Sequence, residues 1–88
     1  MNLRLERRIA PRRNTYLQAL IVYDGGRASR ACIVRNTSDT GAKLEVASVV
    51  GLPNTFDLLV PGHQAQPCRV AWRALKEIGV AYVPGDAG

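Results

Sequence analysis

At 88 residues, with a formal net charge of +5, 47% hydrophobic and 22% charged residues, the chain has the size and balance of one soluble domain with a modest core. The longest apolar runs, such as Ala19 to Tyr23, are far too short to span a bilayer, and no apolar segment follows the basic start to make a signal peptide. Two cysteines, Cys32 and Cys68, and a single histidine supply neither a disulfide framework nor metal-ligand spacing, so the thiols read as small buried hydrophobes in a reducing, cytoplasmic protein.

The positive charge is concentrated at the start. Arg4, Arg7, Arg8, Arg12 and Arg13, against the single acid Glu6, give the first thirteen residues +4 of the total. All five are arginine. A guanidinium is a planar fork of donors that pairs bidentately with phosphate and stacks on aromatic faces, so this segment favours an anionic, planar, nucleotide-like partner. Pro11 and the charge cluster oppose a helix, and residues 1–13 read as a flexible basic arm.

From Tyr16 to Tyr23 the chain is rich in β-formers and stops at Asp24-Gly25-Gly26, a turn signal. Arg27 to Arg35 resumes the extended pattern, which makes a hairpin. Asn36 to Gly41 is a polar loop. Ala42, Leu44 and Val46 then alternate with Lys43 and Glu45, the period of a half-buried strand. Gly51 to Asn54 breaks the chain, and Phe56, Leu58 and Val60 alternate up to Pro61-Gly62. Cys68, Val70 and Trp72 alternate with Arg69, Ala71 and Arg73, which predicts Trp72 inside the fold and Arg69 and Arg73 solvated on the opposite face. Ile78, Val80 and Tyr82 close the series before Pro84-Gly85, and Ala74 to Glu77 is no more than a turn. Six short strands without a helix predict an all-β domain over 14–84, a sandwich or a barrel, with a closed or nearly closed barrel favoured because it hides the sheet edges, and residues 85–88 as a tail.

Catalytic chemistry finds little here. His63 lies in a Pro-Gly-His-Gln loop with no partner spaced to it, Ser29, Ser38 and Ser48 have no base nearby in sequence, and the acids are scattered singly. No glycine-rich phosphate loop precedes a helix. The chain therefore reads as a binding protein and not an enzyme, with no metal or cofactor. Arg8 and Arg12, four apart and flanked by Arg7 and Arg13, can close over one ligand from two sides, one on phosphate and the other on a purine. The same residues also suit a solvated arm. In the 36–41 loop, Asn36 and Ser38 can meet a base edge, and Gly41 permits a positive-φ turn or close backbone approach to a ligand. Those residues also make capped turns with no ligand at all.

Arg8-Ile9-Ala10-Pro11-Arg12 resembles the RxxxR element of PilZ domains, and Asn36-Thr37-Ser38-Asp39-Thr40-Gly41 resembles their (D/N)xSxxG element. The likeness continues through Cys68–Arg73 and Ile78–Val83, similar to the last two barrel strands of that family, and covers residues 6–83. The resemblance implies a six-stranded antiparallel β-barrel that binds cyclic di-GMP. By position, Arg8 and Arg12 would meet phosphate and guanine, Asn36 and Ser38 the guanine edge, and Gly41 would shape the loop. Arg7 and Arg13 flank the motif as auxiliaries, and Arg27 and Arg30 are weaker candidates for lining the site. Asn36 stands where many members carry Asp. With little room for a C-terminal helix and no output domain, the expectation is an effector that signals through a protein partner, by arm folding or ligand-induced dimerisation, without inserting in a membrane. Two alternatives stand beside it: a ligand-blind protein–protein module of the same fold, and a small barrel binding single-stranded nucleic acid. The scarcity of exposed aromatic platforms weighs against the second.

Overall fold

The structure, a computed structural model, describes residues 13–84. Six antiparallel strands close into a barrel: β1 (Arg13–Tyr23), β2 (Ala28–Thr37), β3 (Gly41–Val46), β4 (Thr55–Leu59), β5 (Gln66–Arg73) and β6 (Glu77–Tyr82), in the spatial order β1-β2-β3-β6-β5-β4. Closure satisfies both edges of nearly every strand, which a sheet this small cannot otherwise do. The weakest seam is between β1 and β4, which pair only over Leu20–Leu59, Ile21–Leu58 and Val22–Asp57.

Alternation explains the interior. Leu44 and Val46 of β3 point in while Lys43 and Glu45 stay outside, and Phe56 and Leu58 do the same on β4. Ile21, Leu44, Ile78 and Cys68 are fully enclosed. Burying an aliphatic side chain of this size stabilises by roughly 1.5–3 kcal/mol. Cys32 and Cys68 are buried, unbridged members of the same core. Burial pushes the Cys32 thiol up to about 11. Cys68 rises to about 12, by burial first and then by the negative charges of Asp57 and Cys32.

The β1–β2 connection is tight, with Asp24, Gly25 and Gly26 all at positive φ (56°, 64° and 90°). Glycine reaches that region without penalty and Asp is among the residues that tolerate it, so the sequence signal and the geometry agree. At the same end, the 47–54 loop crosses the barrel mouth and drops Leu52 into the core. Two arginines fasten it. Arg30 Nη1 donates to the carbonyls of Ser48 (3.1 Å) and Val50 (2.7 Å), and Arg73 Nη2 donates to the Leu52 carbonyl (3.0 Å) and Asn54 Oδ1 (2.8 Å). Arg73 is therefore a loop fastener and not merely a solvated residue. Arg30 is committed to this mouth, away from the 36–41 segment.

Strand limits differ from the sequence reading at one end. β1 starts at Arg13, which pairs with Thr37, so Arg13 belongs to the barrel and not to the arm. β2 runs through Thr37 and β3 begins at Gly41, which shortens the connection to Ser38–Thr40. The ladder also slips three times: between Asn14 and Leu17 on β1, Val34 and Asn36 on β2, and Val70 and Trp72 on β5. Each slip inserts an extra residue and re-aims the side chains after it. Among the described residues no helix is long and apolar enough to cross a membrane.

Candidate functional site

The three slips fall along one hydrogen-bonded row of the barrel, and their effect is clearest at Trp72. Parity with Cys68 and Val70 would carry its indole inward, as the sequence reading has it. The bulge at Ala71 instead pairs Trp72 with Gly79 on the outer face, where the side chain is 44% exposed. The expectation of barrel packing is overturned. Gly79 is buried because the indole lies on it: a Cβ there would collide with Trp72 Nε1 and Cε2. Only glycine leaves room for the ring to lie flat on the strand.

A second slip acts on Asn36. Continuing from Cys32 and Val34, position 36 would face the core, but the irregularity after Val34 sets it opposite Lys43 on the outside. Its Nδ2 donates to Asn14 Oδ1 across the β1–β2 ladder at 3.4 Å, and its Oδ1 is buried without a hydrogen-bond partner among the described residues. A buried carbonyl oxygen in that condition carries its desolvation penalty uncompensated, and an N–H donor from outside would relieve it.

Ser38 and Gly41 close the turn. The Ser38 N–H donates to the Gly41 carbonyl at 2.9 Å, and the Thr40 N–H to Ser38 Oγ at 3.3 Å. The turn is tied to β6 by the Tyr82 N–H, which donates to the Thr40 carbonyl, and by the 2.9 Å pair of Thr37 Oγ1 and the Tyr82 hydroxyl. The glycine requirement at position 41 is not the positive-φ turn raised by the sequence. Gly41 is not at positive φ, and what crowds it is the Val80 carbonyl oxygen of β6, which a Cβ would strike. A glycine here lets β3 approach β6.

These elements surround one groove of ≈ 310 Å³. Trp72 forms a wall, the small residues Gly79, Ala81, Ala71 and Gly41 a shallow floor, and Asn36, Ser38 and Lys43 the polar rim. Three of the residues singled out from sequence, Asn36, Ser38 and Gly41, thus meet at one place. Arg13 pairs with Thr37 beside it, so the chain joins the barrel at the groove's edge, while Arg7, Arg8 and Arg12 lie outside the described residues. Gly79 and Lys43 were missed as groove residues, and Trp72 was read as barrel packing rather than as a stacking platform. The available signal was the run of small residues, Ala71, Gly79 and Ala81, on strands otherwise made of large ones.

A larger depression of ≈ 940 Å³ lies elsewhere on the barrel, lined mainly by aliphatic residues such as Leu20, Ile33 and Val60, with His63 at its margin and none of the motif residues. Among the described residues no cluster of three or more His, Cys, Asp or Glu is placed to hold a metal ion. The raised thiol pKa values keep both cysteines protonated and unreactive. No family model matches the chain, and no curated protein matches it in sequence.

Proposed function

We infer that this chain is a PilZ-like, cytoplasmic effector that binds cyclic di-GMP, reports it to a protein partner and performs no chemistry on it. The observation that carries the reading is convergence. Asn36, Ser38 and Gly41 here meet a half-exposed tryptophan around one groove, at the point where the arginine-rich segment joins the barrel. A guanine lies flat against the exposed face of the Trp72 indole, which is seated on Gly79, where base–aromatic stacking contributes about 1–3 kcal/mol. The Asn36 amide and the Ser38 hydroxyl face its hydrogen-bonding edge. Arg8 and Arg12 take phosphate and the free purine face, with Arg7 and Arg13 beside them. Each charge-assisted bond is worth about 1.5–3 kcal/mol, against roughly 1–2 kcal/mol per residue to order the segment that supplies it. That ordering changes the surface shown to a partner, which is how binding becomes a signal.

The test is isothermal titration of the full chain with cyclic di-GMP, using GTP and an oligonucleotide as controls. Saturable heat with the cyclic dinucleotide alone is expected, and Arg8→Ala and Arg12→Ala should each weaken it about ten- to a hundredfold with the fold intact. Unchanged affinity in both variants sinks the site assignment. One observation favours a second reading. The exposure of Trp72 (44%) and Tyr16 (68%) supplies outer aromatic platforms that a single-stranded nucleic acid can also use. Oligonucleotide binding that falls steeply with salt would select that reading instead.

A further inference from the structure

The row that holds Asn36 extends beyond the groove. Asn14 pairs with Asn36, Asn36 with Lys43, Lys43 with Gly79 and Gly79 with Trp72, so five strands each place one residue on a single hydrogen-bonded row that winds around the closed barrel. Trp72 stands at one end and Asn14 at the other. On the Asn14 side lies a second depression of ≈ 400 Å³, lined by Asn14, Thr15, Arg35, Asn36, Lys43 and Glu77. The two depressions share Asn36 and Lys43 and no other residue. Together they make one two-lobed surface with a cation at its waist.

The two cations of the second lobe are held differently. Arg35 is fixed twice, by Glu45 Oε1 at 2.8 Å and by the Tyr16 ring 5.1 Å below its guanidinium carbon. Lys43 Nζ is 3.8 Å from Glu77 Oε2, at the long limit of an ion pair, and both side chains are more than a third exposed. Such a pair restrains its ammonium weakly, and the charge can be redirected to a stronger anion. Lysine also suits that role as a compact point charge on a flexible stem, where arginine would demand a fixed planar geometry.

We propose that Lys43 is a further phosphate-binding residue, beside the arginines, at the waist of a two-lobed cyclic dinucleotide site. One guanine sits in the Trp72 lobe, the second half of the ligand extends over Asn14 and Thr15, and a phosphate between them draws Lys43 away from Glu77. This rests on the cyclic di-GMP reading above. Glu77 is then a built-in competitor, attracting the ammonium and repelling the phosphate.

Titrating the full chain with cyclic di-GMP at several salt concentrations tests this. Lys43→Met should weaken binding about tenfold and make it less sensitive to salt than wild-type binding, with the thermal midpoint unchanged. Glu77→Gln should strengthen binding two- to fivefold, on the order of the weak pair it releases. Wild-type binding that is indifferent to both substitutions, in affinity and salt slope, overturns the role of Lys43 and leaves the ligand assignment standing. A wild-type chain that gives no heat with cyclic di-GMP overturns both.

Discussion

Substituting Gly79 by alanine separates the ligand role of Trp72 from any role in stability. The added methyl would occupy the space of indole atoms Nε1 and Cε2, so the ring must leave its seat on β6. It can do so, because the indole is already 44% exposed and lies on the outer face. Full burial of an aromatic side chain stabilises by roughly 1.5–3 kcal/mol, so releasing one that is about half buried costs about 1 kcal/mol. Replacing a strand glycine by alanine returns about 0.5–1 kcal/mol of backbone entropy. The two nearly cancel. In a domain of this size 1 kcal/mol shifts the midpoint by about 4–8 °C, so Gly79→Ala should melt within a few degrees of wild type. Affinity should respond more, because the stacking surface is gone: about 1–3 kcal/mol, or roughly five- to 150-fold in Kd. Trp72 is the chain's only tryptophan, so its emission reports directly on the ring, and a red shift is expected in the variant. A red-shifted, normally melting variant that binds cyclic di-GMP as tightly as wild type would refute the stacking argument. An unshifted spectrum would refute the collision.

Gly41, the glycine of the 36–41 motif, should behave in the opposite way. Gly41→Ala drives a methyl into the β6 backbone, which cannot step aside as a half-exposed ring can, and the cost should be about 1–3 kcal/mol, visible as a clear fall in the melting midpoint. Arg73→Leu removes two hydrogen bonds to the 52–54 segment and should cost about 1–2 kcal/mol in chemical denaturation. The thiols predict an alkaline limit. Their folded pKa values of about 11 and about 12 stand above the ordinary 9.0, so the folded state holds more protons than the unfolded one across that interval. Their stabilising contribution is complete below pH 9 and is lost as pH rises through 11 to 12, and a Cys32→Val, Cys68→Val variant should show a shallower loss of stability there. Native protein should also resist thiol alkylation at pH 8, and rapid labelling would contradict the burial.

The strands were legible because their apolar residues alternate against charge: Leu44 and Val46 with Lys43 and Glu45, Phe56 and Leu58 with Asp57. The turn at Asp24-Gly25-Gly26 was legible because few other residues reach positive φ at so low a cost. The parity of side chains after a bulge was not. Period-two reasoning assumes an uninterrupted ladder, and one extra residue at Ala71 reverses the face of everything beyond it, so Trp72 emerged outside and Arg73 turned toward the barrel mouth. Local composition does not mark that residue, because what selects the bulge is pairing with β6 and the vacancy above Gly79. Asn36, Ser38 and Gly41 were singled out through the resemblance of their segment to a family motif, and the structure places them on one groove. Lys43 was not singled out, because its significance comes from sharing a row with residues on four other strands.

The sparse seam between β1 and β4 sets how far a pull at the chain's start can travel. Over its first seven residues β1 is tied along one side only among the described residues, to β2, and it acquires a second attachment at Leu20–Val22. Tension applied at Arg13 is therefore relieved by peeling, one rung at a time, and peeling halts where both flanks of the strand are stitched. The Asn14–Asn36 contact is among the first rungs to open, and Ile21, gripped on both sides and sealed in the core, is the anchor. Hydrogen exchange would show this as a gradient of protection along a single strand, rising from Asn14 and reaching a plateau at Leu20.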